Sequence, residues 1–172
     1  MKIWGISDVE GEDDATWENF ATTKSVSLTS GNGLKTVYVK VRDDVGNEST
    51  STSSTITLDT TVPTVTITGP DKSKISKVAG FNVSVINFMA DVVFEEYKVC
   101  VVPNSTSAHS AGTVIGTSNG STNTSGNDGD YPAETNIEVS INGADLEAVS
   151  AGDGVKIVKV FVKNAAGTWS VA

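Results

Sequence analysis

Short segments in which apolar and polar residues alternate recur along the chain, separated by turn residues. In residues 35–42 (KTVYVKVR), Val37, Val39 and Val41 share one face. Successive side chains of a strand point to opposite sides of a sheet, so this pattern predicts a half-buried strand with one face toward a core. Similar segments rich in Val, Ile and Thr lie at residues 55–58, 64–68, 81–86, 97–102, 135–141 and 155–163. No convincing amphipathic helix of ten or more residues occurs, and the sequence therefore predicts an all-β chain.

The most informative feature of the sequence is an internal repeat. Residues 31–49 (GNGLKTVYVKVRDDVGNES) align without gaps with residues 152–170 (GDGVKIVKVFVKNAAGTWS), and eight of the nineteen positions are identical. The identical pairs are three glycines, one lysine, three valines and one serine: Gly31/Gly152, Gly33/Gly154, Lys35/Lys156, Val37/Val158, Val39/Val160, Val41/Val162, Gly46/Gly167 and Ser49/Ser170. Each copy is interpreted as the last hairpin of one of two related domains.

Pro63 marks the predicted boundary between these domains, because proline cannot donate to a central strand ladder and holds the preceding residue extended. The predicted domains are residues 1–62 and 63–172. The second contains residues 104–130, of which twenty of twenty-seven are Gly, Ser, Thr or Asn. This composition offers little apolar surface to bury, so it predicts a long surface loop in which Val114 and Ile115 anchor one short edge strand.

Charge and composition exclude several kinds of function. Twelve basic and twenty-one acidic residues give a net charge of −9, which repels phosphate backbones and anionic lipids, so neither nucleic acid nor membrane is an expected partner. Cys100 is the only cysteine and His109 the only histidine. An internal disulfide, a Cys/His zinc site and a catalytic histidine pair are therefore excluded. We expect a protein that is not an enzyme and needs no cofactor, with Cys100 buried and His109 in solvent.

Three ordered pieces of sequence carry a resemblance to a known family. They are residues 17–28 (WENFATTKSVSL), the hairpin 31–49, and residues 56–67 (ITLDTTVPTVTI). Together they resemble the bacterial immunoglobulin-like (Big-type) repeats of surface adhesins and of phage virion or fibre proteins, and residues 160–170 match the same pattern. The resemblance implies two tandem immunoglobulin-like β-sandwich domains in an extracellular setting, on a cell surface or a virion. Such repeats serve as rigid spacers, adhesive tips or decorations.

The resemblance also indicates that the first domain is incomplete. Residues 97–100 occupy the place of the third strand in the second domain, and residues 1–4 occupy the equivalent place in the first. The first domain is therefore expected to lack its first two strands. Three explanations stay open: the chain is a segment of a longer repeat array, a neighbouring subunit supplies the strands, or the first unit is a reduced sandwich.

Candidate metal ligands follow from the same resemblance. In related adhesin arrays an aspartate in the last hairpin turn and the aspartate of the linker share calcium at the domain junction, and the matching residues here are Asp43 and Asp59, with Asp44 and Asp71 as helpers. Asn164 replaces Asp43 in the second copy, so the site would not repeat. A possible Ca²⁺ ion at the junction is thus one alternative, in which calcium stiffens an adhesin repeat.

Aromatic residues supply the last candidates. Trp and Tyr rings stack on sugars, so an exposed Trp169 or Tyr131 would form the platform of a carbohydrate-binding tip that contacts a surface glycan. The main expectation is a non-enzymatic spacer or decoration whose partners are neighbouring domains or subunits of a larger array. The carbohydrate-binding tip is the other alternative.

Overall fold

The computed structural model describes residues 1–127 and 129–171. The chain divides into two compact units, Met1–Thr61 and Val62–Ala172, and each is described by itself. Strands dominate both units and all pair in antiparallel fashion, so the prediction of an all-β chain is confirmed.

The first unit is built on one three-stranded sheet. Its strands are β1 (Lys2–Trp4), β2 (Gly33–Lys40) and β3 (Thr52–Leu58), and β2 lies between the other two. The alternation predicted for the valine strand is realised, because Val39 pairs with Ile3 on one side and with Thr52 on the other. Residues opposite each other share a face, so Val39 extends an apolar face to Ile3 of β1, whereas its partner on β3 is the polar Thr52.

The opposite face of this sheet is organised by aromatic rings. Trp4 is buried and stacks on Tyr38, with ring centroids 5.4 Å apart and planes within 6°. The segment between β1 and β2 supplies Trp17, over whose ring the Arg42 guanidinium lies 4.4 Å from the centroid. This segment also supplies Glu12, which forms a 2.9 Å ion pair with Lys40.

The second unit contains two sheets. One holds β4 (Val65–Thr68), β5 (Val83–Ala90) and β9 (Ile137–Asn142) in the order β4-β5-β9. The other has the order β10-β6-β7, formed by β6 (Glu96–Val102), β7 (Thr113–Val114) and β10 (Ile157–Lys163), while β8 (Ser125–Gly126) also pairs with β6. A short helix, α1 (Gly143–Val149), follows β9 directly.

The core of the second unit lies between these sheets. Phe88 of β5 and Val139 of β9 pack in one buried cluster with Val99 of β6 and Val162 of β10, all at most 1% exposed. A smaller cluster on the other face of the β6–β10 pair holds Cys100, Val102 and Phe161. The expected burial of Cys100 is confirmed, at 0% exposure.

Residues 104–130 are more ordered than their composition predicted. The chain forms β7 and β8 within this segment, and Ile115 is fully buried in the main core. The predicted edge strand at residues 114–115 is found one residue earlier, at Thr113–Val114. Residue 128 of this segment lies outside the described residues. The segment is ordered because a few of its apolar side chains are buried. Polar groups elsewhere in the unit also form hydrogen bonds with its backbone.

Strand register shows that the two units share a common arrangement. In the first unit Lys40 of β2 pairs with Lys2, and in the second unit Phe161, the residue aligned with Lys40, pairs with Lys98. Strand β1 thus holds the place in the first unit that β6 holds in the second. Strand β3 pairs with the other side of β2, but no strand of the described residues occupies that side of β10.

The two copies of the repeat differ in how deeply their valines are buried. Val162 is fully buried, because the β4-β5-β9 sheet packs on its face, whereas the aligned Val41 is 39% exposed. The first unit has no second sheet in the described chain. The same sequence motif therefore forms a core in one unit and a partly open face in the other.

This difference predicts unequal costs for the same substitution. Val162→Ala removes two methyl groups from a close-packed site and should lower the free energy of unfolding of its unit by about 2–3 kcal/mol. Val41→Ala should cost its own unit only about 0.5 kcal/mol, because solvent already reaches the side chain. Denaturant unfolding of the two variants checks this, and equal losses would contradict it.

Candidate functional site

The turn that follows the repeated strand has the same hydrogen bonds in both copies. Ser49 N donates to Val41 O at 2.9 Å, and the aligned Ser170 N donates to Val162 O at 2.8 Å. Each serine hydroxyl also accepts from the backbone N–H of the same valine, at 3.1 Å and 3.2 Å. The repeat is therefore a conformational unit as well as a sequence pattern.

The side chain that organises this turn is an aspartate in one copy and an asparagine in the other. Asp43 Oδ1 accepts from Asn47 N at 2.7 Å, and the aligned Asn164 Oδ1 accepts from Thr168 N at 2.8 Å. Asn47 also donates its side-chain amide to Asp43, and these bonds lower the pKa of the Asp43 carboxyl. The turn requires an acceptor oxygen at this position, and Asp43 and Asn164 each supply one.

Asp43 and Asp59, the pair predicted to share calcium, lie at opposite ends of the β2–β3 hairpin of the first unit. Asp43 follows β2, while Asp59 follows the end of β3 that pairs with Gly33 at the start of β2. The length of β2, about 26 Å at 3.3 Å per residue, separates these two ends of the hairpin, so one ion cannot bind both carboxylates. Asp44 is an exposed neighbour of Asp43 in the turn. The predicted sharing of calcium by Asp43 and Asp59 is therefore not supported by the fold.

Asp59 and Asp71 have local structural partners instead. Asp59 Oδ1 accepts from Thr61 N at 2.9 Å and from the side-chain amide of Asn32 at 3.2 Å. Asp71, in the second unit, accepts from Val85 N at 2.6 Å and from the Ser84 hydroxyl at 3.0 Å. Hydrogen bonds to these carboxylates lower the pKa of both.

Trp169 is half-buried and its ring is already in contact with other side chains. It stacks on His109, with centroids 4.7 Å apart and planes within 11°, and the Lys98 ammonium lies 4.6 Å from its centroid. The expectation that His109 is surrounded by solvent is wrong, because the loop carrying it folds onto this ring. Burial and the nearby Lys98 charge lower the pKa of His109.

Tyr131 belongs to an aromatic cluster at the edge of the main core. Its ring stacks on Phe94 at 4.9 Å and meets Tyr97 edge-on at 5.3 Å. A Cβ atom on Gly126 would lie 2.2 Å from the Tyr131 hydroxyl oxygen, so only glycine allows β8 to pass so close. The contacts of Trp169 and Tyr131 indicate packing roles rather than open sugar platforms.

A buried carboxylate that the sequence did not single out holds the polar segment in place. Asp145, 1% exposed in the first turn of α1, accepts from Asn119 N and Ser121 N at 2.9 Å each and from the Ser118 hydroxyl at 3.0 Å. Burial alone would raise the pKa of Asp145, but the hydrogen bonds outweigh it and the pKa falls to about 2.

A signal for this helix was present in the sequence. Asn142 precedes α1 as its N-cap, and its side chain accepts from Ala144 N at 2.9 Å. An asparagine followed by a short helix-favouring segment with an acid in its first turn is typical of a helix start. Only the fold, however, brings residues 118–121 to Asp145.

One groove of the described residues lies in the second unit and is lined by residues of both of its sheets. It has a volume of about 830 Å³. Its apolar lining comes from both sheets and from α1, and includes Ile67, Ile75, Ile86, Ile141, Leu146 and Val158. The charged side chains that line the groove are three lysines, and none of its lining residues is acidic. This groove is the strongest candidate for a binding site.

Potentially reactive groups are otherwise scattered. No group of three or more His, Cys, Asp and Glu side chains in residues 1–127 and 129–171 is arranged to hold a metal ion. Cys100 is fully buried, and burial raises the pKa of its thiol, which disfavours the nucleophilic thiolate.

Comparison with family models, with curated proteins and with solved structures finds no match to this chain. Within the part of the chain that the structure describes, no helix is sufficiently long and apolar to cross a membrane.

The Asp145 network predicts a dependence of stability on pH. A carboxylate whose folded pKa of about 2 lies below its ordinary value of 3.8 stabilises the fold above that ordinary value, and this contribution is lost as the pH falls through 2. The native protein should have a higher free energy of unfolding than Asp145→Asn at pH 5. This difference should shrink by roughly 2 kcal/mol between pH 5 and pH 2.

Denaturant titrations at several pH values measure this difference. Asp153→Asn, at an exposed position of the same unit, is the matched control and should show no comparable change. A constant difference between the native protein and Asp145→Asn across the pH range would contradict the assignment.

Proposed function

We propose that this chain is a non-enzymatic structural module that serves as a rigid spacer or decoration in an extracellular bacterial surface protein or a phage virion appendage. In this proposal each unit is an immunoglobulin-like domain or a part of one. The observation that carries it is the repeated hairpin, in which matching hydrogen bonds form at aligned positions in both units. A module that is repeated with its geometry intact suits a load-bearing or spacing role.

The side-chain chemistry supports the same proposal. The turns are held by internal hydrogen bonds to Asp43 and Asn164, and the aromatic candidates Trp169 and Tyr131 pack against neighbouring rings. The polar segment of the second unit is tied to Asp145 by three donor residues. These groups contribute to rigidity, which is the property that a spacer requires. The net charge of −9 favours solubility of an extended assembly.

A rigid spacer should lengthen in proportion to the number of its modules. We expect small-angle scattering of genetic fusions with one, two and three copies of the chain to give a maximum dimension that rises linearly with copy number. A flexibly linked array would instead lengthen roughly as the square root of that number. Square-root growth would contradict the proposal.

The contacts of Trp169 predict the outcome of a carbohydrate test. We expect no saturable binding on a glycan array, and we expect Trp169→Ala to lower the free energy of unfolding by about 1–2 kcal/mol because the ring is packed against His109. Leu34→Ala, at a residue that is 68% exposed, is the control for stability. Glycan binding that disappears in Trp169→Ala would favour a carbohydrate-binding tip instead.

A further inference from the structure

Three asparagines of the chain are followed directly by glycine, and this dipeptide is chemically labile. They are Asn32, Asn119 and Asn142. The backbone nitrogen of the following residue can attack the side-chain amide of asparagine, which makes asparagine a thermolabile residue. Glycine has no Cβ atom and therefore leaves that nitrogen accessible. In the unfolded chain the three sites should react alike, so any difference between them in the folded protein comes from local structure.

The fold protects Asn142. Its side chain is buried, at 5% exposure, and the side-chain oxygen accepts from Ala144 N at 2.9 Å as the cap of α1. The attacking atom at this site would be Gly143 N, but this N–H donates to Asn82 O at 2.7 Å. Both hydrogen bonds must break before the two reacting atoms can join, and a buried backbone N–H is costly to leave unpaired.

Asn32 is exposed, but both ends of its side-chain amide are held. Its oxygen accepts from Thr60 N at 2.9 Å and from the Thr60 hydroxyl at 2.7 Å, and its nitrogen donates to the Thr61 hydroxyl oxygen at 2.8 Å. Gly33 is the first residue of β2 and lies opposite Leu58, so the ladder fixes the backbone on the other side of the dipeptide. Rotation of the Asn32 side chain toward Gly33 N would break several of these bonds.

Asn119 lacks both kinds of protection. It lies in an exposed turn between β7 and β8, and only the nitrogen of its side-chain amide is held, by the Ser118 hydroxyl at 3.2 Å and Asp145 Oδ1 at 3.1 Å. Among residues 1–127 and 129–171, no acceptor contacts Gly120 N and no donor contacts Asn119 Oδ1. Gly120 is also exposed. The atoms that must join, Asn119 Cγ and Gly120 N, can therefore approach each other without the loss of a backbone hydrogen bond.

We propose that Asn119 is a site of spontaneous deamidation, and that its conversion releases residues 118–121 from Asp145. Gly120 N loses its proton to solvent and attacks Asn119 Cγ; the Cγ–Nδ2 bond then breaks, and the nitrogen takes up protons from water and leaves as ammonia. Water opens the resulting cyclic imide at either carbonyl carbon, which yields aspartate or isoaspartate. The net reaction consumes one water and releases one ammonia, without oxidation or reduction. The inference goes beyond the proposed spacer function, because it assigns a site of covalent modification.

The product does not fit the hydrogen bonds around Asp145. A carboxylate replaces the amide nitrogen that lies 3.1 Å from Asp145 Oδ1, so a donor becomes a second negative charge. Asp145 also accepts from Asn119 N and Ser121 N at 2.9 Å each, and isoaspartate lengthens the backbone between these two donors. Ile115 still anchors the same segment in the main core. We therefore expect local loosening rather than unfolding of the whole unit.

Peptide mapping by mass spectrometry measures the reaction in the full chain. During incubation of the folded protein in mildly alkaline buffer, Asn119 should be converted at least about tenfold faster than Asn32 or Asn142, since hydrogen bonds must break before either of those reacts. The same chain unfolded in guanidinium chloride is the control, and there the three sites should react at similar rates. Equal rates in the folded protein, or a faster reaction at Asn32 or Asn142, would overturn the inference.

Hydrogen exchange followed by mass spectrometry tests the consequence. Protein in which Asn119 has been converted should exchange the amides of residues 118–121 at least about tenfold faster than fresh protein, because the bonds to Asp145 are lost. Asn119→Gln is the matched control. It keeps the amide, but its longer side chain must close a larger ring and so resists the reaction, and incubation should leave its exchange unchanged. Equal exchange before and after conversion of Asn119, or the same acceleration in incubated Asn119→Gln, would contradict release of the segment.

Discussion

The packing of one apolar strand face against a second sheet is the interaction on which the rest of the second unit depends. Val160 and Val162 of β10 are at most 4% exposed, because Phe88 and Val139 of the other sheet complete the same cluster. Once that contact is made, β6 and β10 are held in register and the turns at their ends are fixed in position. The groove beside β10 is the place where this packing is incomplete.

Polar side chains determine the shape of the connections between strands. A turn that leaves a strand must satisfy backbone N–H groups that the ladder no longer pairs, and a short side chain with an acceptor oxygen does this locally. Asp43, Asn164, Ser49 and Ser170 act in this way in the two hairpins. Asp145 does the same over a longer range, by accepting from a segment more than twenty residues away.

Comparison of the two units explains how one motif can have two roles. The identical valines lie on equivalent strands, yet their burial differs because only the second unit has a sheet packed on that face within the described residues. Conversely, among the strands that the structure describes, only the first unit has one on the outer side of the motif.

Alternation with period two and turn residues are local signals, so most of the strands, the repeat and the all-β class could be predicted from the sequence alone. The sequence identified the strand of residues 97–102 and placed Cys100 within it, and the structure has this strand at Glu96–Val102 with the thiol buried.

Contacts between residues distant in sequence could be seen only in the folded chain. The fold separated Asp43 from Asp59 by the length of β2, packed His109 onto Trp169, and gathered residues 118–121 around Asp145. These contacts depend on which strands pair and in which register, and register is set by the packing of whole faces rather than by any local pattern. For the same reason only the fold could reveal the groove beside β10.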